Sequence, residues 1–143
     1  MWSSAALAQR LHDRLSLKPF LSPTFNDIHE MWVENDGPGP AIILEETVFI
    51  DGKPTIITNL NNCEKILSEL GITNSSIHVF FPGASISPNV TVDLLTISTN
   101  SPASYVHKFR NALLRVKFKI LYESVYGVEN GDQQFTNIIE IPR

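Results

Sequence analysis

Leu7, Leu11 and Leu15 recur every four residues with Ala8 beside them. This is the spacing of one apolar stripe on an α-helix, which Ser3 or Ser4 can cap and Pro19 must end. Pro19, Pro23, Pro38 and Pro40, with Gly37 and Gly39, interrupt the pattern next. Phe20 to Pro40 therefore reads as mostly loop, with one short strand over Ile28 to Val33 and a firm turn in ENDGPGP. Ala41 to Ile50 predicts a strand, and Asp51-Gly52 before the apolar run Thr55 to Thr58 predicts a tight hairpin. Asn61 is placed to cap a helix with Glu64 three residues on, Cys63, Ile66, Leu67 and Leu70 on one face, and Gly71 as a left-handed stop.

Beyond that helix, Ile77 to Phe81 reads as a strand, Pro82-Gly83 as a turn, and Val90 to Ser98 alternates as a further strand. Asn100 or Ser101 caps the next helix, with Pro102 in its first turn and Val106, Phe109 and Leu113 as its stripe. Val116, Phe118, Ile120 and Tyr122 alternate with Lys117, Lys119, Leu121 and Glu123, which favours a strand, although the helix pattern could also run on past Arg115. Asn130-Gly131 reads as a hairpin turn into a last strand, Phe135 to Ile141. From the first hairpin onward the order is strand, helix, strand, strand, helix, strand, which is the split βαβ pattern with both helices on one face of an antiparallel sheet. The expectation is one α+β domain over residues 1–143. It would be a two-layer sandwich with an antiparallel or mixed sheet, helices mainly on one face, and an added N-terminal helix.

Length and composition narrow the class. A chain of 143 residues can bury about two thirds of its unfolded surface in one core. Its charged fraction of 18% lies below the usual value of about 25%. Asn, Ser and Thr take up the difference, and such a surface can enter an interface without burying unpaired charge. The lone Cys63 rules out an internal disulfide, and MWSSAALAQRLHDRL lacks the pattern of a signal peptide. No apolar run approaches the ~20 residues that span a bilayer, so a cytoplasmic place of assembly and no membrane partner are expected. Asn74-Ser75-Ser76 and Asn89-Val90-Thr91 fit the glycosylation pattern but read as chance matches in polar loops.

Candidate chemistry is sparse. Cys63 sits in the first turn of its helix, where the dipole favours a thiolate, yet a cysteine sharing a face with Ile66 and Leu70 reads better as a small buried hydrophobe. His12, His29, His78 and His107 fall on different elements, and Asp27, His29 and Glu30 are the one close set of histidine and carboxylates. A solvated strand end accounts for that set without a metal, because structural sites need four ligands. Ser85 lacks a nucleophile elbow, and the glycines never cluster as a phosphate loop. No catalytic, cofactor or metal residue is assigned.

Charge is distributed in blocks. Asp27, Glu30, Glu34, Asp36, Glu45, Glu46 and Asp51 occur with no Lys or Arg between Lys18 and Lys53, whereas Lys108, Arg110, Arg115, Lys117 and Lys119 lie between Asp93 and Glu123 without a carboxylate. Either the blocks neutralise one another within the fold, or an acidic edge of one subunit meets a basic edge of the next. Interface candidates on the second reading are Glu34, Asp36, Glu45 and Glu46 against Arg110, Arg115, Lys117 and Lys119. A net charge of −4 and the absence of interleaved aromatics argue against nucleic acid as a specific partner.

The amphipathic start ALAQRLHDRL, the Trp32 strand leading through a proline turn into PAIILEE, and the unit TVDLLTISTNSPASYVHKFRNALLRV together resemble the tail terminator or tail completion proteins of tailed bacteriophages. The resemblance is one of element order across nearly the whole chain. It implies a non-enzymatic virion protein without cofactor. Such a protein forms a homo-oligomeric ring, usually a hexamer, at the head-tail junction, where it stops the tail tube, meets neck or connector proteins and joins the tube to the head. A small enzyme using Cys63 or a histidine and carboxylate pair, and a monomeric binding adaptor, are the other classes in play.

Overall fold

The computed structural model describes residues 4–6, 18–26, 30–72, 75–98, 101–124 and 136–141. Its elements are β1 (Leu21–Asn26), β2 (Glu30–Asn35), β3 (Ala41–Ile50), β4 (Lys53–Ile56), α1 (Asn61–Leu70), β5 (Ser76–Ile77), β6 (Ser85–Ile86), β7 (Thr91–Thr96), α2 (Ala103–Leu113), β8 (Val116–Ser124) and β9 (Thr136–Ile141). Residues 4–6 are helical, and the rest of the expected N-terminal helix lies outside the described residues, as does the Asn130-Gly131 turn. No described helix is long and apolar enough to cross a membrane.

The fold is α+β with antiparallel pairing, and it differs from the expected single sheet. One sheet has the order β1-β2-β7-β5, and the other runs β4-β3-β8-β9 with β6 added to β3. The strands after α1 therefore join β2 instead of the hairpin strands, which removes the split βαβ arrangement. Hydrophobic pattern specifies which faces are buried, whereas strand partners depend on long-range pairing that the pattern does not encode. Both helices nevertheless cover the second sheet, α1 against β3 and α2 against β8. Side chains of both sheets and both helices form one core that includes Val33, Leu94, Val48, Phe118, Ile66 and Phe109.

Several elements follow their local chemistry closely. β8 alternates buried and half-buried along its whole length, so Val116, Phe118, Ile120 and Tyr122 face the core and Lys117, Lys119, Leu121 and Glu123 face outward. Asp51 and Gly52 both have positive φ, at 51° and 84°, and join β3 to β4 as a two-residue hairpin. Gly71 closes α1 with φ 71°.

Three expectations are corrected. Residues 21–26, read as loop because of Pro23, form β1, which lies at the end of its sheet, where a missing N–H breaks no ladder. Asn61 is the first helical residue and not the cap: Asn59 Oδ1 accepts from the Asn61 N–H (3.0 Å), and Asn62 Oδ1 from the Thr58 and Asn59 N–H groups (3.0 Å each). Pro102, not Ser101, occupies the cap position of α2, while Asn100 lies outside the described residues.

Candidate functional site

The candidate interface residues are dispersed over both sheets, α2 and the core. Glu34 lies on β2 across from Thr91, and Asp36 follows it in the exposed turn, where its carboxylate accepts from the Ser22 hydroxyl. Glu45 lies on the outward face of β3, directly opposite Leu121 of β8, with Lys119 opposite Thr47 two positions away. Glu45 and Lys119 are therefore diagonal neighbours on one sheet face, at a spacing of about 7–8 Å. Blocks separated in sequence are here interleaved in space. Arg110 lies exposed on α2.

Three of the eight candidates do not offer a free charge at a rim. Arg115 makes a two-pronged contact with Asp51 (2.8–3.1 Å), which holds the Asp51 carboxyl below the usual range and raises the guanidinium. Lys117 pairs with Glu140 of the neighbouring strand at 2.9 Å and lowers that carboxyl. Glu46 is fully buried. The cause is a β-bulge: pairing to β8 shifts register between Ile43 and Glu45, so the inward-facing residues are Ala41 and Ile43 before it and Glu46, Val48 and Ile50 after it. Without the extra residue Glu46 would point to solvent. The doublet Glu45-Glu46 carries no signal of which member turns inward.

Glu46 is the most perturbed group in the described chain. Burial pushes its carboxyl up to about 8, although the Phe80 N–H donates to Oε1 at 3.2 Å and favours the charged form. Oε2 is buried without a partner. Cys63 of α1 is half-buried, and its thiol is held above its ordinary value first by burial and then by the field of Glu46. That direction opposes a nucleophilic thiolate.

Among the described residues the other candidate side chains lie on separate elements. His78 meets the Phe80 ring edge-on at 4.9 Å, His107 lies exposed on α2, and Ser85 is in β6. His12, Asp27 and His29 lie outside the described residues. Among the described residues no three His, Cys, Asp or Glu side chains gather as a metal site would require. A surface cleft of about 650 Å³ lies between residues 18–21, the 36–38 turn and β9, with Phe20 and Ile138 exposed on its walls. Compared with protein-family models, with curated proteins and with solved structures, the chain shows no match in any of the three.

Proposed function

We propose that this chain is a non-enzymatic assembly subunit of a phage virion, forming a homo-oligomeric ring, a hexamer by its resemblance, that ends the tail tube and joins it to the head. The observation that supports it is the outward face of the second sheet. There Glu45, Lys117, Lys119 and Glu140 lie beside Ile138 of β9 and Ile56 of β4, which are 60% and 53% exposed. Mixed charge with exposed aliphatic side chains, on a rigid sheet, suits contact between proteins more than capture of a small molecule.

Head-to-tail closure requires a second, different surface. Glu34 and Asp36 at the end of β2 are the candidates for it, Asp36 lying across the cleft from Ile138 and Glu140, and Glu45 belongs instead with the lysines. Native mass spectrometry of the purified chain, alone and with tail-tube protein, tests the reading. A ring mass, or a ring formed on the tube end with arrest of tube growth, is expected. A monomer under both conditions would overturn it.

A further inference from the structure

The edge of β3 that faces away from β8 is covered in relay. β4 pairs with Thr47 to Ile50, the Ile57 N–H donates to the Glu46 carbonyl, and β6 pairs with Ala41 and Ile42. Between them runs the segment 78–84, which also ties the two sheets together. The His78 N–H donates to the Leu94 carbonyl of β7 (2.8 Å), while the Gly83 N–H donates to the Ile43 carbonyl and the Ile43 N–H to the Ala84 carbonyl (2.8 Å each). At its centre the Phe80 N–H finds no main-chain acceptor and uses the Glu46 side chain, so a carboxyl occupies a place in the strand cover.

We propose that Glu46 is a proton-operated latch: the neutral carboxyl holds the 78–84 segment on β3, and ionisation releases that segment and loosens the joint between the sheets. A carboxylate there would be buried with one oxygen unpartnered, and the way to solvate it is to lift the cover. The direction of its titration agrees, since burial outweighs the one hydrogen bond and holds the group neutral at pH 7.

No described cation counters the charge. Opposite Glu46 on β8 is Ile120, flanked by Phe118 and by Tyr122, whose hydroxyl accepts from the Leu21 N–H. α1 contributes Cys63, whose coupling to Glu46 is repulsive, with Glu64 beyond it, and the cover contributes the exposed His78. α2 turns Phe109, Ala112 and Leu113 to the core. The latch is independent of the ring reading, because it operates within one chain.

Amide hydrogen exchange across pH 6–9.5, corrected for the intrinsic base dependence, tests it in the wild type and in Glu46→Gln, which keeps the acceptor for Phe80 but cannot ionise. Protection of the Phe80, Gly83 and Ala84 amides should fall at least tenfold as pH rises from 6 to about 8 in the wild type, level off beyond, and stay level throughout in the variant. Glu46→Met provides a second non-ionising form should Gln fold poorly. Because both variants retain Cys63 and His78, a fall that persists in them would assign the response to those groups and overturn the proposal. Level protection in the wild type would overturn it equally.

Discussion

Asn35 is buried with every polar atom of its side chain engaged. Its Oδ1 accepts from the Phe20 and Gly37 N–H groups (3.2 and 3.0 Å), and its Nδ2 donates to the Gly39 and Ile86 carbonyls (2.9 Å each). One amide thus pins the entry to β1, the turn after β2 and strand β6. Removing it leaves several buried groups without partners, so Asn35→Ala is expected to cost on the order of 3 kcal/mol or more in a denaturant titration. Asn35→Asp should be no milder, because a carboxylate cannot donate to the two carbonyls. Beside it, a Cβ on Gly37 would stand 2.5 Å from the Lys18 carbonyl oxygen and the Phe20 nitrogen, both backbone atoms, so Gly37→Ala should also destabilise. Glu46 carries the opposite sign. Its folded value of about 8 against an ordinary 4.5 means that the native state keeps a proton the unfolded chain releases. Stability is then fully present below about pH 4.5, falls as pH rises to about 8, and is level beyond. Each unit costs about 1.4 kcal/mol, so at pH 7 replacement by Gln, which keeps the acceptor for the Phe80 N–H, is expected to stabilise by an amount on the order of 3 kcal/mol, and Met, which leaves that N–H unpaired, by less. Melting curves of wild type and variant that run parallel from pH 5 to 8 would contradict this. The sequence motif ENDGPGP announces a turn, but neither the amide at its centre nor the inward glutamate is visible there, since both depend on residues far away in the chain.

At the level of elements, what was legible is what local geometry dictates. A Cβ at Gly52 or Gly71 meets nothing within 4 Å, so the cost of alanine at either is backbone conformation alone. With φ of 84° and 71°, each substitution should lower stability by about 1 kcal/mol in chemical denaturation, and a neutral result would mean that the turn relaxes to another form. Alternation along β8, the hairpin after β3 and the stop of α1 were read correctly for the same reason: each rests on residues within a few positions of one another. β1 is not legible locally, because Pro23 reads as a breaker unless the strand's place at a sheet edge is known. The apolar run Ile77 to Phe81 predicts one strand, yet pairing with β7 stops at Ile77 and the chain crosses to β3 after His78. Cys63 is half-buried, less enclosed than the local reading expects, although its helix also carries the buried Ile66 and Leu70. Its replacement by alanine should cost about 1 kcal/mol of stability and leave any assembly intact, which melting and native mass measurements can check together.

For the whole molecule, two sheets joined by one core place charge differently from the sequence order. The acidic block divides among a sheet end, an outward sheet face and the core, and the basic block places Lys117 and Lys119 beside Glu45 on that same face. Reading blocks as edges therefore misassigned Glu45 and Glu46, because a strand alternates faces with every residue and a bulge resets the alternation. What remains for a head-to-tail contact is Glu34 and Asp36 on one surface and Lys119, with Arg110, on others. Exposed rim pairs contribute only ~0.2–1 kcal/mol each, so Lys119→Glu alone should weaken the proposed ring slightly and mainly at low salt. Such pairs act chiefly on register and orientation, which makes a charge swap more informative than a deletion. Lys119→Glu and the double change Glu34→Lys with Asp36→Lys are each expected to shift the oligomer toward smaller species in native mass spectrometry at low salt. Combining all three should recover part of the wild-type mass, since the opposed charges are exchanged, while the new carboxylate on β8 still faces Glu140 and Glu45 of its own chain. Failure of the combination to recover any of it, after each part has disrupted it, would show that these two surfaces do not meet.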